Sequence, residues 1–270
     1  MAQLADLRAR VLTASIIAPV ALLCIWWGGA FWSALMLLCV AVLGWEWVRL
    51  CGGRGRGRAG ALVLSPVLLG TFCAVLNLPL AGLVVVGLGA LLAWRLAGEL
   101  PSRWLGFGVL YIGVAGIALL ELRHDGAAGR GNVVFLFLVV WASDICAYFT
   151  GRFLGGPKLA PAISPNKTWS GAIGGLLGAI LVGIGAALAL GGGASLGAIA
   201  GVALLLGLAT QSGDMFESWI KRRFGVKDSS GLLPGHGGLL DRLDGFLAAA
   251  PVAALIGLAS GPGVHMWRWV

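Results

Sequence analysis

The chain has 270 residues, of which 59% are hydrophobic and only 11% are charged, and its mean hydropathy is +0.95. This composition leaves too little polar surface to cover a water-soluble globule of that size, so it excludes a soluble enzyme and predicts a polytopic membrane protein. The net charge of +8 would suggest a nucleic-acid partner only if the basic residues gathered on a soluble face, but they fall between apolar segments.

Apolar stretches close to the twenty residues that a membrane helix needs recur along the whole chain. They lie at about 11–29, 31–47, 61–77, 79–97, 104–121, 133–150, 169–190, 196–214 and 243–260. We therefore predict an all-α, multi-pass membrane protein with about nine transmembrane helices. Pro66 interrupts the third stretch, and the connection from the third to the fourth is very short.

The basic residues predict the orientation of these helices. With the N-terminus in the cytoplasm, 16 of the 19 Lys and Arg residues lie on the inner side, which is the bias that the positive-inside rule requires. The C-terminus then lies outside. Residues 1–130 are predicted as an N-terminal membrane region of about five helices, and residues 131–270 as a catalytic region of about four, with cytoplasmic loops at 151–168 and 215–242.

Glycines in the seventh predicted helix are spaced for close helix packing. Gly171, Gly174, Gly175 and Gly178 follow one another at intervals of three, one and three residues. Small residues at such intervals share a face and let two helix backbones approach. We expect this face to pack against a neighbouring helix rather than to contact substrate.

A first polar segment begins near the end of the sixth predicted helix. Its candidate residues are Asp144, Tyr148, Arg152, Ser164, Asn166, Lys167 and Thr168. An unpaired Asp144 in an apolar helix is costly, so we expect it to meet Arg152, Lys167 or a metal. Thr168 is placed to cap the seventh helix, and Lys167 beside the positive helix end predicts a phosphate site. A capped helix with an interfacial lysine is the simpler alternative.

Three acids of the second polar segment predict a magnesium site. Asp241 and Asp244 are three residues apart at the start of the ninth predicted helix, so their carboxylates emerge on one face. Asp214 ends the eighth apolar stretch on the same side of the membrane. We expect the three to converge on Mg²⁺, which keeps substrate phosphates in its coordination shell. A plain N-cap role for Asp241 is the alternative.

Four cations, Lys221, Arg222, Lys227 and Arg242, interleave with these acids and with a glycine-rich turn. Backbone N–H groups of Gly237 and Gly238 can approach an anion closely, and His236 between them and Gly235 can orient a phosphate. We therefore expect a triphosphate cradle here, with a solvated, positively charged loop as the alternative.

The second segment resembles the full signature of the phosphatidate cytidylyltransferases. The matching residues are Ser218, Lys221, Arg222, Lys227, Asp228, Pro234, His236, Gly237, Gly238, Asp241, Arg242 and Asp244. Residues 144–152 and 164–171 resemble the other common block of that family. The specific motifs thus cover about 144–175 and 211–245, whereas the first 140 residues resemble the family only as a hydrophobic region.

The resemblance implies that CMP passes from CTP to phosphatidic acid, giving CDP-diacylglycerol and pyrophosphate at the cytoplasmic face of a bacterial inner membrane. It also implies Mg²⁺, with a second cation allowed for, surrounding membrane lipid, and a homodimer. By motif position, the metal ligands would be Asp214, Asp241 and Asp244, and the other catalytic residues Lys221, Arg222, Lys227, Asp228, His236 and Arg242. The nucleotide- and cofactor-binding residues would be Gly237, Gly238, Lys167, Ser164, Asn166, Thr168, Asp144, Tyr148 and Arg152.

Two other functions stay open on the residues alone. A CTP-dependent kinase acting on a polyprenol or another lipid would use a similar membrane centre, but it would have to deprotonate a neutral alcohol. A transporter would place its charges near mid-membrane in broken helices, whereas these charges gather at the predicted cytoplasmic helix ends.

Overall fold

The computed structural model describes residues 15, 18–53, 55, 57–96, 98, 100–233, 235 and 237–268, and the structural statements below concern those residues. In them the chain forms nine α-helices: α1 (Ala18–Trp27), α2 (Gly29–Leu50), α3 (Gly57–Val75), α4 (Pro79–Leu96), α5 (Ser102–His124), α6 (Gly129–Leu154), α7 (Trp169–Ala189), α8 (Leu196–Arg223) and α9 (Leu240–Ser260). A hairpin of β1 (Lys158–Ala160) and β2 (Ser164–Thr168) precedes α7, and a short 3₁₀ helix (Met266–Arg268) follows α9.

The predicted multi-pass helical architecture is confirmed. The helices α2 to α9 are each long and apolar enough to cross a membrane, and α1 is a shorter apolar helix whose predicted beginning lies outside the described residues. The third and fourth predicted spans are separate helices, since only residues 76–78 connect α3 to α4. Pro79 begins α4, where the missing N–H of proline costs no hydrogen bond.

Two local predictions were wrong. The helix α8 does not end at Asp214 but continues to Arg223, so the part of the predicted 215–242 loop up to residue 223 is helical. Hydropathy marks only the lipid-embedded part of a helix, and the three basic residues of the last turn suit the negative end of the helix dipole. The predicted 151–168 loop also contains the unpredicted hairpin, in which Lys158 pairs with Thr168 and Ala160 with Ser164.

The chain divides into two compact units, one made of Met1–Leu120 with Lys221–Leu243 and the other of Glu121–Ile220 with Asp244–Val270. In the first unit, α3 packs against both α2 and α4. A Cβ added to Gly70 would lie 2.9 Å from the carbonyl oxygen of Gly82, so the small residues set the distance between α3 and α4. The buried Trp47 indole donates a hydrogen bond to the Trp104 carbonyl at 2.7 Å and ties α2 to α5.

In the second unit, α6 packs along α7 through the predicted glycine face. A Cβ on Gly171 would lie 2.9 Å from the Ala147 carbonyl oxygen, and one on Gly175 would lie 2.8 Å from the Ser143 carbonyl oxygen. A Cβ on Gly178 would overlap the Cys146 side chain. The predicted packing role of these glycines is confirmed, and it brings the N-terminal end of α7 against the C-terminal half of α6.

The orientation can be tested with two alanine-to-cysteine variants. Ala162 lies in the hairpin turn and Ala127 in the connection from α5 to α6, and both are exposed. The charge bias predicts that Ala162→Cys reacts only with reagents that reach the cytoplasm, whereas Ala127→Cys reacts from outside. The control is the parent chain, whose own cysteines set the background labelling. Among them, burial raises the pKa of the Cys51 thiol to about 12, so that this thiol stays unreactive. Labelling of Ala162→Cys from outside would contradict the orientation.

Candidate active site

A cavity of about 590 Å³ lies in the second unit, among α6, the hairpin, α7 and α8. Its polar lining residues are Asp144, Tyr148, Arg152, Lys158, Asn166, Lys167, Thr168, Gln211 and Asp214. The volume is within the range of pockets that bind small molecules. The structure therefore brings the candidates of the first polar segment together with Asp214, although Ser164 does not line the cavity.

The hairpin places two lysines at the N-terminal end of α7. Pairing of Lys158 with Thr168 sets Lys158 and Lys167 on the same cavity. The Thr168 hydroxyl accepts a hydrogen bond from the Gly171 N–H at 3.1 Å, so the predicted N-cap is confirmed. The positive end of α7 and the two ammonium groups make this wall of the cavity suited to a phosphate group.

An ion pair joins two of the predicted site residues. Lys167 Nζ lies 2.6 Å from Asp214 Oδ2, and the two side chains are 26% and 33% exposed. Asp144 is attracted by Lys167, one of its expected partners, and repelled by Asp214. Because the pair is accessible from the cavity, an incoming phosphate can compete for Lys167 and an incoming cation for Asp214.

Asp244 belongs to the same acidic group. The α8 and α9 helices touch where Gly213 faces Asp244, since a Cβ on Gly213 would lie 2.5 Å from the Asp244 carbonyl oxygen. The Asp244 carboxylate accepts the Gly245 N–H at 2.8 Å and interacts electrostatically with Asp214 and Asp144. The second unit thus gathers three aspartates from α6, α8 and α9, and Asp144 lies with two of the predicted metal-binding acids.

Asp241 has a different environment, in the first unit. Its carboxylate accepts hydrogen bonds from Lys221 Nζ at 2.7 Å, from Ser229 N–H and Oγ–H at 2.9 Å each, and from Gly238 N–H at 2.8 Å. The Asp241 and Lys221 side chains are only 6% and 12% exposed. Asp241 is the second residue of α9, so the alternative that it is the N-cap is wrong. Its carboxylate joins Ser229 to Gly238.

The remaining candidates of the second segment lie around that network. Arg222 donates to the Val226 carbonyl at 3.2 Å, and the side chains of Lys227, Asp228 and Arg242 are exposed. Gly237 has a φ of +80°, a conformation that favours glycine, and its carbonyl accepts the Leu233 N–H at 2.8 Å. His236 lies outside the described residues. The triphosphate cradle stays a prediction.

The sequence analysis missed two polar residues of the helices. Gln211 of α8 donates to the Ala172 carbonyl at 3.0 Å and to Ser143 Oγ at 3.4 Å, and so links three helices at the cavity. Glu46 of α2 is fully buried and accepts hydrogen bonds from the second motif segment. For Glu46 the available signal was a charged residue inside an apolar stretch, and for Gln211 it was a polar residue near the end of one.

The acids do not form a ready-made metal site. In the part of the chain that the structure describes, no group of three histidine, cysteine or acidic residues is arranged to hold a metal ion. The three aspartates of the second unit interact electrostatically without making such a group. Metal binding by Asp214, Asp241 and Asp244 therefore stays a prediction.

Comparison with known proteins gives the family. Residues 8–259 match the model described as the Cytidylyltransferase family. The chain belongs to the cytidylyltransferase family. It is 40% identical over 262 residues to the phosphatidate cytidylyltransferase of Brucella suis biovar 1, which covers 94% of each chain. It is 38% identical over 280 residues to that of Pseudomonas aeruginosa, which covers 95% of this chain and 99% of the relative.

A shorter similarity joins the chain to a third cytidylyltransferase. The phosphatidate cytidylyltransferase of Staphylococcus aureus strain COL is 40% identical over 148 residues, or 55% of this chain and 56% of the relative. The family resemblance drawn from the motifs is confirmed, and the similarity to the Brucella and Pseudomonas relatives extends well beyond the motif segments.

Proposed function

We propose that this protein is a phosphatidate cytidylyltransferase, which transfers CMP from CTP to phosphatidic acid and releases pyrophosphate. The observation that carries the proposal is the 40% identity over 94% of both chains with a relative of that name. The cavity supports it, because cations of a kind that suits phosphate groups lie together with carboxylates on its walls. Neither the site nor the relatives favour a lipid kinase.

The reaction does not require the protein to activate the nucleophile by removing a proton. A phosphate oxygen of phosphatidic acid, already ionised at neutral pH, forms a bond to the α-phosphorus of CTP. The bond from that phosphorus to the oxygen bridging to the β-phosphate breaks, and pyrophosphate leaves with the electron pair. Positioning two anions together and stabilising the leaving group is therefore the main task of the residues.

The cations of the two units suit two phosphate groups. In the cavity, Lys167, Lys158 and Arg152 would bind the phosphate of phosphatidic acid, since they surround the positive end of α7. Lys227 and Arg222, whose side chains are exposed, would contact the triphosphate of CTP. Lys221 would do so only by giving up its contact with Asp241.

The acids of the second unit fit a magnesium ion. Asp144, Asp214 and Asp244 supply hard oxygen donors, and Mg²⁺ is commonly held by one or two carboxylates with water and substrate phosphates, so a complete protein cage is not needed. We propose Asp214 and Asp244 as its ligands. The third predicted ligand, Asp241, is held by Lys221 and Ser229 in the first unit. When bound, the metal neutralises charge on the phosphate oxygens.

We also propose that the protein lies in the bacterial inner membrane and forms a homodimer. A multi-pass protein with bacterial relatives is consistent with the bacterial inner membrane, which the motif resemblance also implies. The homodimer rests on that resemblance alone.

A substrate comparison tests the proposed function. The purified protein in detergent, given CTP and Mg²⁺, should release pyrophosphate with phosphatidic acid but not with a polyprenol or diacylglycerol. Excess EDTA should abolish that release, and added Mg²⁺ should restore it, because two anions must be drawn together. Equal turnover with the alcohols would contradict the function, and full activity in EDTA would contradict the metal.

A further inference from the structure

Glu46 is a fully buried carboxylate on α2, in the first unit. It accepts hydrogen bonds from Ser230 Oγ–H at 2.5 Å, from Leu239 N–H at 2.9 Å and from Leu240 N–H at 2.7 Å. A buried charge in an apolar helix is costly unless hydrogen bonds replace its water shell. All three donors lie in the second motif segment (residues 211–245). The Glu46 carboxylate therefore stabilises that segment and not the packing of α2.

The same segment is held by a second carboxylate. Asp241 accepts from Ser229 and Gly238, which are the residues next to Ser230 and Leu239 in the chain. Each carboxylate therefore joins the beginning of the segment, at residues 229–230, to its end at 238–240. These contacts hold residues 229–233 to residues 237–240, and we call these two described stretches the clamped loop.

The backbone at Gly238 packs closely against the side chains of Glu46 and Ser229. A Cβ added to Gly238 would lie 2.6 Å from Glu46 Oε1 and would overlap the Ser229 hydroxyl. The first N–H groups of α9, among them that of Leu240, have no acceptor within their own helix, and Glu46 supplies one. A negative charge there is also favoured by the positive end of the helix dipole.

We propose that Glu46 is a positioning residue for the clamped loop, fixing Gly237, Gly238 and Asp241 in the arrangement that receives the triphosphate of CTP. This rests on the proposed function. Ordering a loop on binding costs free energy, and a loop ordered beforehand binds its ligand more tightly. Helix α2, which carries none of the family signature, would thus support nucleotide binding through the clamped loop.

The test is Glu46→Gln, with Asp125→Asn as the matched control. The glutamine keeps the side-chain size but turns an NH₂ group toward backbone N–H donors. Asp125 also fixes backbone, accepting from Gly263 N–H at 2.6 Å and Asn132 Nδ2–H at 3.2 Å, and it lies outside the candidate site. We expect Glu46→Gln to raise KM for CTP about fivefold or more and to leave KM for phosphatidic acid within about twofold. The control should leave both within about twofold.

A second readout does not need turnover. Hydrogen exchange of the backbone amides in the clamped loop should speed up in Glu46→Gln, whereas amides of α3 and α4 should be unchanged. Should Glu46→Gln not fold, Ser230→Ala removes one of the three donors without removing the charge, and it should give the same KM split on a smaller scale.

The outcomes separate this proposal from the proposed function. An equal rise of both KM values, or unchanged exchange of the clamped loop, would overturn the role of Glu46. Absence of any CTP turnover in the parent chain would instead overturn the proposed function, and the exchange measurement would still decide whether Glu46 fixes the loop.

Discussion

Asp214→Asn is expected to lower turnover by about a hundredfold or more, since metal contacts contribute several kcal/mol to the transition state and about 1.4 kcal/mol corresponds to tenfold in rate. Asp214 is the acid of the cavity that pairs with Lys167 at 2.6 Å. The asparagine keeps the size and removes the charge. The measurement is kcat with CTP and phosphatidic acid for the purified variant, with Asp125→Asn as control.

The Mg²⁺ dependence distinguishes two roles of Asp214. If its only task were to hold Lys167 in place, Asp214→Asn would raise KM for phosphatidic acid without changing the Mg²⁺ concentration that gives half-maximal turnover. We expect that Mg²⁺ concentration to rise, because the carboxylate is proposed to hold the metal. Near-normal turnover in Asp214→Asn would contradict the assignment.

Lys221→Met and Asp241→Asn are each expected to destabilise the protein by about 3–5 kcal/mol, because removing one partner of a buried ion pair leaves the other charge uncompensated. The pair is 2.7 Å apart with side chains 12% and 6% exposed. The measurement is the thermal unfolding of the detergent-solubilised variants. The double variant should lose less stability than the sum of the two single losses.

A loss of activity in Asp241→Asn would not by itself show that Asp241 binds a metal. Asp241 also holds the Ser229 and Gly238 backbones, so Asp241→Asn is expected to lose activity through loop geometry alone. Single variants with the stability of the parent chain would contradict the structural role of the pair.

The membrane-spanning architecture was predictable because it follows from composition and span length. The ends of the elements were not. Hydropathy falls at the membrane surface, whereas α8 continues to Arg223, since backbone hydrogen bonding does not depend on lipid. The hairpin escaped prediction because strands of three and five residues are too short for a periodic pattern.

The motif segments could be selected from the sequence, but the ion pairs within them could not. The motif spacing selected Lys167, Asp214, Lys221 and Asp241, yet the ion pairs Lys167–Asp214 and Lys221–Asp241 join residues 47 and 20 positions apart. Such contacts are set by packing at glycines such as Gly213 and Gly238, where a side chain would not fit. Glu46 lies far from the motifs in sequence and required the fold to connect it with them.

The most direct test of the proposed nucleotidyl transfer is to determine which phosphate of CTP enters the lipid. The protein in detergent is given phosphatidic acid, Mg²⁺ and CTP that carries radiolabel at either the α- or the γ-phosphate. Nucleotidyl transfer predicts that the α-label enters the lipid extract while the γ-label appears as pyrophosphate. Entry of the γ-label into the lipid would instead show phosphoryl transfer and contradict the proposed function.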